Sequence, residues 1–563
     1  MTLATHHLDL AITNAKILTM TSDRPVVRAL GTRGGRIAVV GEDREVLAHA
    51  TSATRVVDAR GATVIPGLVD GHAHLDREGL RDVFASMEGL RTVEAVLDRI
   101  SSLAAGAEPG QWIVTMPLGE PPYYEGEQPF PTRFQLDRVA PRNPVFIRPI
   151  WGYWRHSLPL RSVMNGLALE ALGPDGIRAC ESWAEFERDP VSGELNGRVN
   201  EHTFEPSVEF LLPQSAGRFG EEARRSALLR SMRTYNASGT TGIYEGHGVA
   251  DEVGAVYRRV ASLSELTVRA RLPLSLPWAD ATDIERAHLR AARVSAVAGD
   301  GEGDEMLRFV GVSLGSTHSS PGVHVRRKAR PYTGWAGFDP GSSLDPAELL
   351  PELVECARAG VQVAAMTPDM LSVFELVDRA IPIAGLRWVL GHINVLTPAD
   401  IDLIRRLGLI VTTHTNRYIY KEGREGEKRA AETGGVPVPL RSLLSAGVPV
   451  SLGTDNVPTS LFGPIWHAVS RESRSGRLDS QHERIDRYQA LRAATIGGAL
   501  LTFDERRRGR LEPGMQADLA VLSDDVLAIG EAHIPSISAV MTVVAGRVVH
   551  DPDGLAGQGS SSW

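Results

Sequence analysis

His72 and His74 close the apolar run VIPGLVDGHAH. In extended backbone a period of two puts both imidazoles on one face, where they can chelate a single metal ion. A bare pair means little in a chain with 17 histidines, so the context carries the signal. A Pro-Gly breaks the preceding segment, an apolar strand follows, and the small Gly71 and Ala73 leave room beside the rings. Asp455 ends a second apolar run, PVSLGTDN. A carboxylate placed after a buried strand is costly unless it is paired, hydrogen-bonded or metal-bound, although taken alone it serves equally as a helix cap. His392 closes LRWVLGHI in the same way, the alternative there being a core histidine bonded to a backbone carbonyl. Glu245 and His247 in GIYEGHG, His414 in VTTHT and His318 after SLGS also follow strand-like runs. Imidazoles and one carboxylate form a donor set for Zn2+, and the same atoms accept Fe2+ or Mn2+.

Such residues converge only if the strands carrying them lie side by side. Eight short apolar segments can be counted, TVIPGLVDGHAH, TTGIYEG, TVRARLPLSL, MLRFVGVSL, VQVAAM, LRWVLGHI, LIVTTHT and VPVSLGTDN. They alternate with amphipathic stretches such as EEARRSALLRSMRTYNA, PAELLPELVECARAG and PADIDLIRRLG. Alternation of this kind predicts parallel strands joined by crossover helices, and eight of them predict a closed (β/α)8 TIM barrel within the α/β class. Closure sets the eighth strand beside the first, bringing Asp455 to His72 and His74. Residues 8–65 and about 509–550 share a different texture of short strands and turns, which predicts a small β-sandwich built from both chain ends, 1–65 plus 509–555. The barrel then spans 66–508. Residues 76–238 do not fit the repeat and read as an insertion whose Trp, Tyr and Pro residues, Trp151, Tyr153 and Trp154 among them, suit a lid or wall.

Composition narrows the function classes. The chain has 563 residues, 42% hydrophobic and 23% charged, and a net charge of −9, with no strong basic patch for nucleic acid. Cys180 and Cys356 are the two cysteines, far apart and without a C-x-x-C, which argues against a disulfide framework or a thiolate zinc site and for a cytoplasmic location. The first 15 residues lack the apolar core of a signal peptide, and no apolar run is long enough to span a membrane. The tail after Asp551, rich in Gly and Ser, is expected to be loose.

PGLVDGHAH after a short β-domain, GHI at a later strand end, GTDN near residue 455 and the closing EPGMQADLAVL together resemble the amidohydrolase superfamily. LDRVAPRNPVFIR, NGLALEALG and SGTTGIYEG, in that order, resemble its family 3 branch, which includes N-substituted formamide deformylase-like enzymes. The resemblance implies that His72 and His74 bind metal from the first strand, and that His392 on the sixth binds metal or polarises substrate. It implies that Asp455 on the eighth strand touches the metal and shuttles a proton. Two residues of the family pattern are missing: the fourth segment, MLRFVGVSLGS, has no lysine, and the fifth, VQVAAMTPD, has Ala365 or Met366 in place of a histidine. One zinc ion is therefore expected rather than a bridged pair, with Glu245 and His247 first in line to complete its shell, then His318 and His414. The expected reaction is hydrolysis of a C–N bond in a small molecule, a non-peptide amide, formamide, urea or cyclic amide, by metal-activated water. The competing readings are a non-hydrolytic lyase, decarboxylase or isomerase on the same barrel, or a catalytically degenerate binding protein. Oligomeric state is left open, a homodimer being the commonest assembly of such enzymes.

Overall fold

Five of the eight apolar segments show directly how alternation sorts side chains. In each of the pairs Ile243/Tyr244, Phe309/Val310, Val363/Ala364, Leu390/Val389 and Val411/Ile410, the first residue joins the large outer core and the second an inner cluster with Leu501. This period of two is what a sheet covered by helices outside and closed around itself inside requires. A computed structural model describes residues 7–118, 130–150, 158–203, 205–314, 322–342 and 344–557. Its barrel strands are β1 (Leu68–Ala73), β2 (Thr240–Glu245), β3 (Arg269–Ser275), β4 (Leu307–Leu314), β5 (Val363–Ala365), β6 (Val389–Ile393), β7 (Ile410–Thr413) and β8 (Val450–Ser451). They pair in parallel in chain order from β1 to β8. All eight segments expected from the sequence form these strands.

The last seam is made differently. Gly71 N–H donates to the Leu452 carbonyl at 2.9 Å and Asp455 N–H to the His72 carbonyl at 2.8 Å. Below them the buried Asp70 carboxylate accepts from Thr454 N–H at 3.0 Å and from the Thr454 hydroxyl at 2.5 Å. A two-residue β8 offers few ladder bonds, and these side-chain and loop contacts stand in for the rest.

Helices cover the outside as local signals dictate. Helix α1 (Glu221–Ala237) coincides with the amphipathic run EEARRSALLRSMRTYNA and links β1 to β2 after the intervening segments. In the helix Pro398–Arg406, Thr397 accepts from Asp400 N–H while the Asp400 carboxylate accepts from Thr397 N–H, with Pro398 in the first turn. That reciprocal cap satisfies donors a helix start would otherwise expose.

Both chain ends build the sandwich. Leu519–Leu522 pairs antiparallel with Thr63–Pro66 in a six-stranded sheet. A four-stranded sheet containing Leu10–Thr13 faces it across a shared apolar core that includes Ile12, Ile17, Val64, Leu519 and Val543. The chain between β1 and α1 forms a separate six-stranded sheet, from Ala85–Met87 to Leu195–Glu201. Met116 of that sheet, with Phe210 and Phe219, packs against Tyr332, Trp335 and Phe338 from the loop after β4, making an aromatic wall. Trp151, Tyr153, Trp154 and His318 lie outside the described residues. No helix among the described residues is long and apolar enough to cross a membrane.

The foot of β3 is tied to the sandwich by a buried ion pair. Arg269 Nε and Nη2 donate to the Asp518 carboxylate at 2.7 and 2.9 Å. Removing one partner of a buried pair leaves an uncompensated charge. Asp518→Ala is therefore expected to lower unfolding stability by about 3–5 kcal/mol, read from urea denaturation, whereas an exposed pair such as Arg178–Asp175 should change it by less than about 1 kcal/mol.

Candidate metal centre

Parallel strands deliver whatever follows their C-terminal ends to the same mouth. His72 sits within β1 and His74 just past it, His247 two residues beyond β2, His392 within β6, His414 next after β7 and Asp455 four residues beyond β8. Each is held by a local device. His392 and Asp455 have φ of 45° and 52°, and Asn456, next to Asp455, has 58°. Left-handed backbone costs a non-glycine residue about 1–2 kcal/mol and persists where surrounding contacts enforce it. Asn456 supplies some of those contacts, accepting His74 N–H at 2.9 Å and the Tyr235 hydroxyl at 2.5 Å while its amide donates to the His74 carbonyl at 2.8 Å. Glycines make the space, since a Cβ at Gly246 would collide with the His72 ring and one at Gly453 with its Cβ.

The side chains form two overlapping groups. His72, His247 and His392 bring ligand atoms within 4.8 Å of one another, as do His72, His74 and Asp455. His72 Nε2 and His392 Nε2 are 3.0 Å apart. His74 is gripped from both sides, with Nδ1 2.6 Å from Glu245 Oε1 and Nε2 2.7 Å from Asp455 Oδ1. Glu245 also accepts from Arg77 at 3.3 Å, and His414 Nε2 lies 3.1 Å from the second Asp455 oxygen. Phe338 of the aromatic wall meets the His247 ring edge-on at 5.3 Å between centroids.

Burial sets the protonation pattern. It drives His72, His247 and His414 well below the usual imidazole range and His392 down to about 4, so these rings are neutral at pH 7 and present lone pairs. Burial and Arg77 push His74 in the same direction, but its two carboxylate partners outweigh them and raise it. Burial would raise Asp455, yet the surrounding histidines, His414 and His74 foremost, hold it well below the carboxylate range. Asp70 goes the other way, pushed by burial to about 7 despite its bonds from Thr454 and His72 N–H. Neutral imidazoles facing one another at 3.0 Å beside an ionised carboxylate are a donor set for a divalent ion of borderline softness.

The sequence profile of the amidohydrolase family matches residues 55–550. The chain belongs to the amidohydrolase family. N-substituted formamide deformylase of Arthrobacter pascens is 26% identical to this amidohydrolase over 97% of this chain and 99% of the relative. Among solved structures, an uncharacterised metal-dependent hydrolase from Pyrococcus furiosus aligns with a TM-score of 0.63 and 20% identity, covering 92% of this chain and 99% of its own. An adenosine deaminase from Xanthomonas campestris with bound zinc aligns at 0.52 and 16%, covering 97% and 94%. At these identities the structural likeness speaks for the fold.

Within this amidohydrolase the barrel gathers His72, His74, His392, Asp455, His247 and His414 at one mouth. Glu245 is present as well but outside both ligand groups, with its carboxylate on His74 and Arg77. β4 contains no lysine, and β5 ends at Ala365 with Met366 following, both buried. His247 packs among the rings of His72, His74 and His392. Sequence reasoning passed over Asp70, Arg77, Tyr235 and Asn456. Asp70 was detectable, since it precedes His72 by two and shares its strand face. Asn456 follows Asp455 directly, but its bond to His74 joins residues 382 apart in sequence. Asn456→Ala leaves the His74 backbone and the Tyr235 hydroxyl without their buried partner. It should cost about 1–3 kcal/mol in thermal unfolding, and Asn456→Asp, which keeps the accepting oxygen but loses the donor to the His74 carbonyl and buries a carboxylate beside Glu78 and Asp455, should cost at least as much.

Proposed function

We propose that this amidohydrolase hydrolyses a C–N bond of a small molecule, a non-peptide amide, formamide, urea or cyclic amide, with one zinc ion, Fe2+ or Mn2+ being accepted by the same atoms. The observation that carries the reading is Asp455. It is a buried, ionised carboxylate at the barrel mouth, within 3.7 Å of the nitrogens of three histidines, His72, His74 and His414. His72, His247, His392 and Asp455 would hold the cation, with His74 joining on giving up its bond to Asp455. A divalent ion bound there supplies Lewis acidity and lowers the pKa of water from about 15.7 toward about 7. Asp455 accepts the proton of the attacking water and delivers it to the departing nitrogen as the C–N bond breaks, so that acid and amine leave with one water consumed. Glu245 orients His74 from its Nδ1 side, and His414 on the other carboxylate oxygen holds Asp455 in one orientation through both transfers. The aromatic wall around Phe338 excludes bulk water from the side of His247. The relative named for deformylating N-substituted formamides supports the C–N bond as the target. The free, buried Cys180 and Cys356, whose thiols burial pushes up to about 12, suit a cytoplasmic setting.

Asp455→Asn keeps the shape and removes the base, so turnover of the best amide substrate should fall by about 10²–10⁴-fold. Full retained turnover would sink the proposal. Product formed in 18O-water should carry the label, while a decarboxylase or isomerase on this barrel would leave it out. Glu245→Gln weakens the support behind His74, and zinc affinity measured by chelator competition should drop about 10–100-fold with stoichiometry at saturation unchanged.

A further inference from the structure

A (β/α)8 interior is ordinarily filled by branched apolar side chains. At the end of this barrel opposite the histidines the filling is charged. Arg271 of β3 lies between the helix-facing Ala270 and Leu272, and Arg308 of β4 lies two residues before the inner Val310. Alternation therefore turns both arginines inward, and they are 1% and 5% exposed. A third, Arg508, enters from the segment that leaves the barrel for the sandwich and is 2% exposed. Its guanidinium presses on β2 where Gly242 has no side chain, and a Cβ there would collide with Nη1.

All three arginines meet one carboxylate. Asp504 accepts from Arg271 Nε at 2.9 Å and from Arg508 Nη2 at 2.9 Å, and its other oxygen is 3.6 Å from Arg308 Nη1. The other nearby acids do not balance the charge. Asp518 is engaged by Arg269, and Asp300, 3.7 Å from Arg308, is half exposed. Arg508 Nε and Nη1, both buried, have no hydrogen-bond partner among the described residues, and neither has Arg308 Nη1. Burial and the neighbouring guanidiniums hold Arg271 down at about 9 against the pull of Asp504, as expected where positive charge is in excess. Water would satisfy the donors but leave that excess in place. Arg507, partly exposed, also reaches Asp504 at 3.5 Å and Asp300 at 3.3 Å, so a monovalent anion offsets part of an excess that the two carboxylates leave over the three buried guanidiniums.

We infer that the N-terminal end of the barrel binds a small inorganic anion of chloride size, held beside Asp504 by the buried N–H groups of Arg508 and Arg308 that no hydrogen bond satisfies. The anion fastens residues 504–508 to β2, β3 and β4, and so couples the segment leading to the sandwich to the barrel. The site lies at the far end from the metal centre and does not rest on the proposed reaction.

Crystals of the full chain grown in sodium bromide should show an anomalous peak between Arg508 and Arg308. In solution, replacing chloride by gluconate at constant ionic strength should lower the Tm by about 2 °C or more, and Arg508→Met should abolish that difference. A peak without anomalous signal, which marks water, overturns the inference, as does a Tm indifferent to the exchange. Should Arg508→Met fail to fold, the bromide map and anion exchange on the unaltered protein decide alone.

Discussion

The hydrogen bond from Asp455 N–H to the His72 carbonyl makes barrel closure and site assembly one event. β8 is two residues long, so an ordinary ladder cannot close the sheet. The seam is carried by that bond, by Gly71 on Leu452 and by Thr454 on the Asp70 carboxylate. The backbone and Thr454 contacts that position Asp455 against the β1 histidines also hold the first strand to the last, while His414 steadies its carboxylate from the end of β7. Chemistry and topology share these few contacts, and a buried acceptor deprived of its donor there costs about 1–3 kcal/mol.

Three residues in left-handed backbone stand at the same place. His392, Asp455 and Asn456 all occupy the left-handed region, where bulky residues are disfavoured. The chain holds them there with a dense set of buried hydrogen bonds, Asn456 alone engaging His74 and Tyr235. Glycine contributes by absence, Gly246 and Gly453 letting the His72 ring lie against backbone where a side chain would displace it.

The barrel carries charge at both ends and apolar filling between. Neutral imidazoles and an ionised aspartate crowd the upper mouth, while guanidiniums around Asp504 occupy the lower interior. Tyr244, Val310, Ala364, Val389, Ile410 and Leu501 form the thin apolar layer that separates them. Each end joins distant parts of the chain. The upper is roofed by aromatics from the loop after β4 and the segment before α1, and the lower is bound to the segment that returns to the sandwich.

Periodicity alone determined the eight strands, the helices between them and the pairing of the two chain ends, because alternating and 3.6-residue patterns are written locally. Together with the family resemblance it pointed to His72, His74, His392 and Asp455, and less strongly to Glu245, His247 and His414, since polar residues that end apolar strands share a mouth once the strands run parallel. The family pattern left open what stands where the fourth-strand lysine and fifth-strand histidine are missing. Tertiary structure brought His247 to His72 and His392, turned Glu245 onto His74 as a support and set His414 against Asp455. It also tied Asn456 to His74 and gathered three arginines on Asp504. Those outcomes depend on side-chain direction at strand ends and on contacts between residues hundreds of positions apart, and neither leaves a periodic trace in the chain.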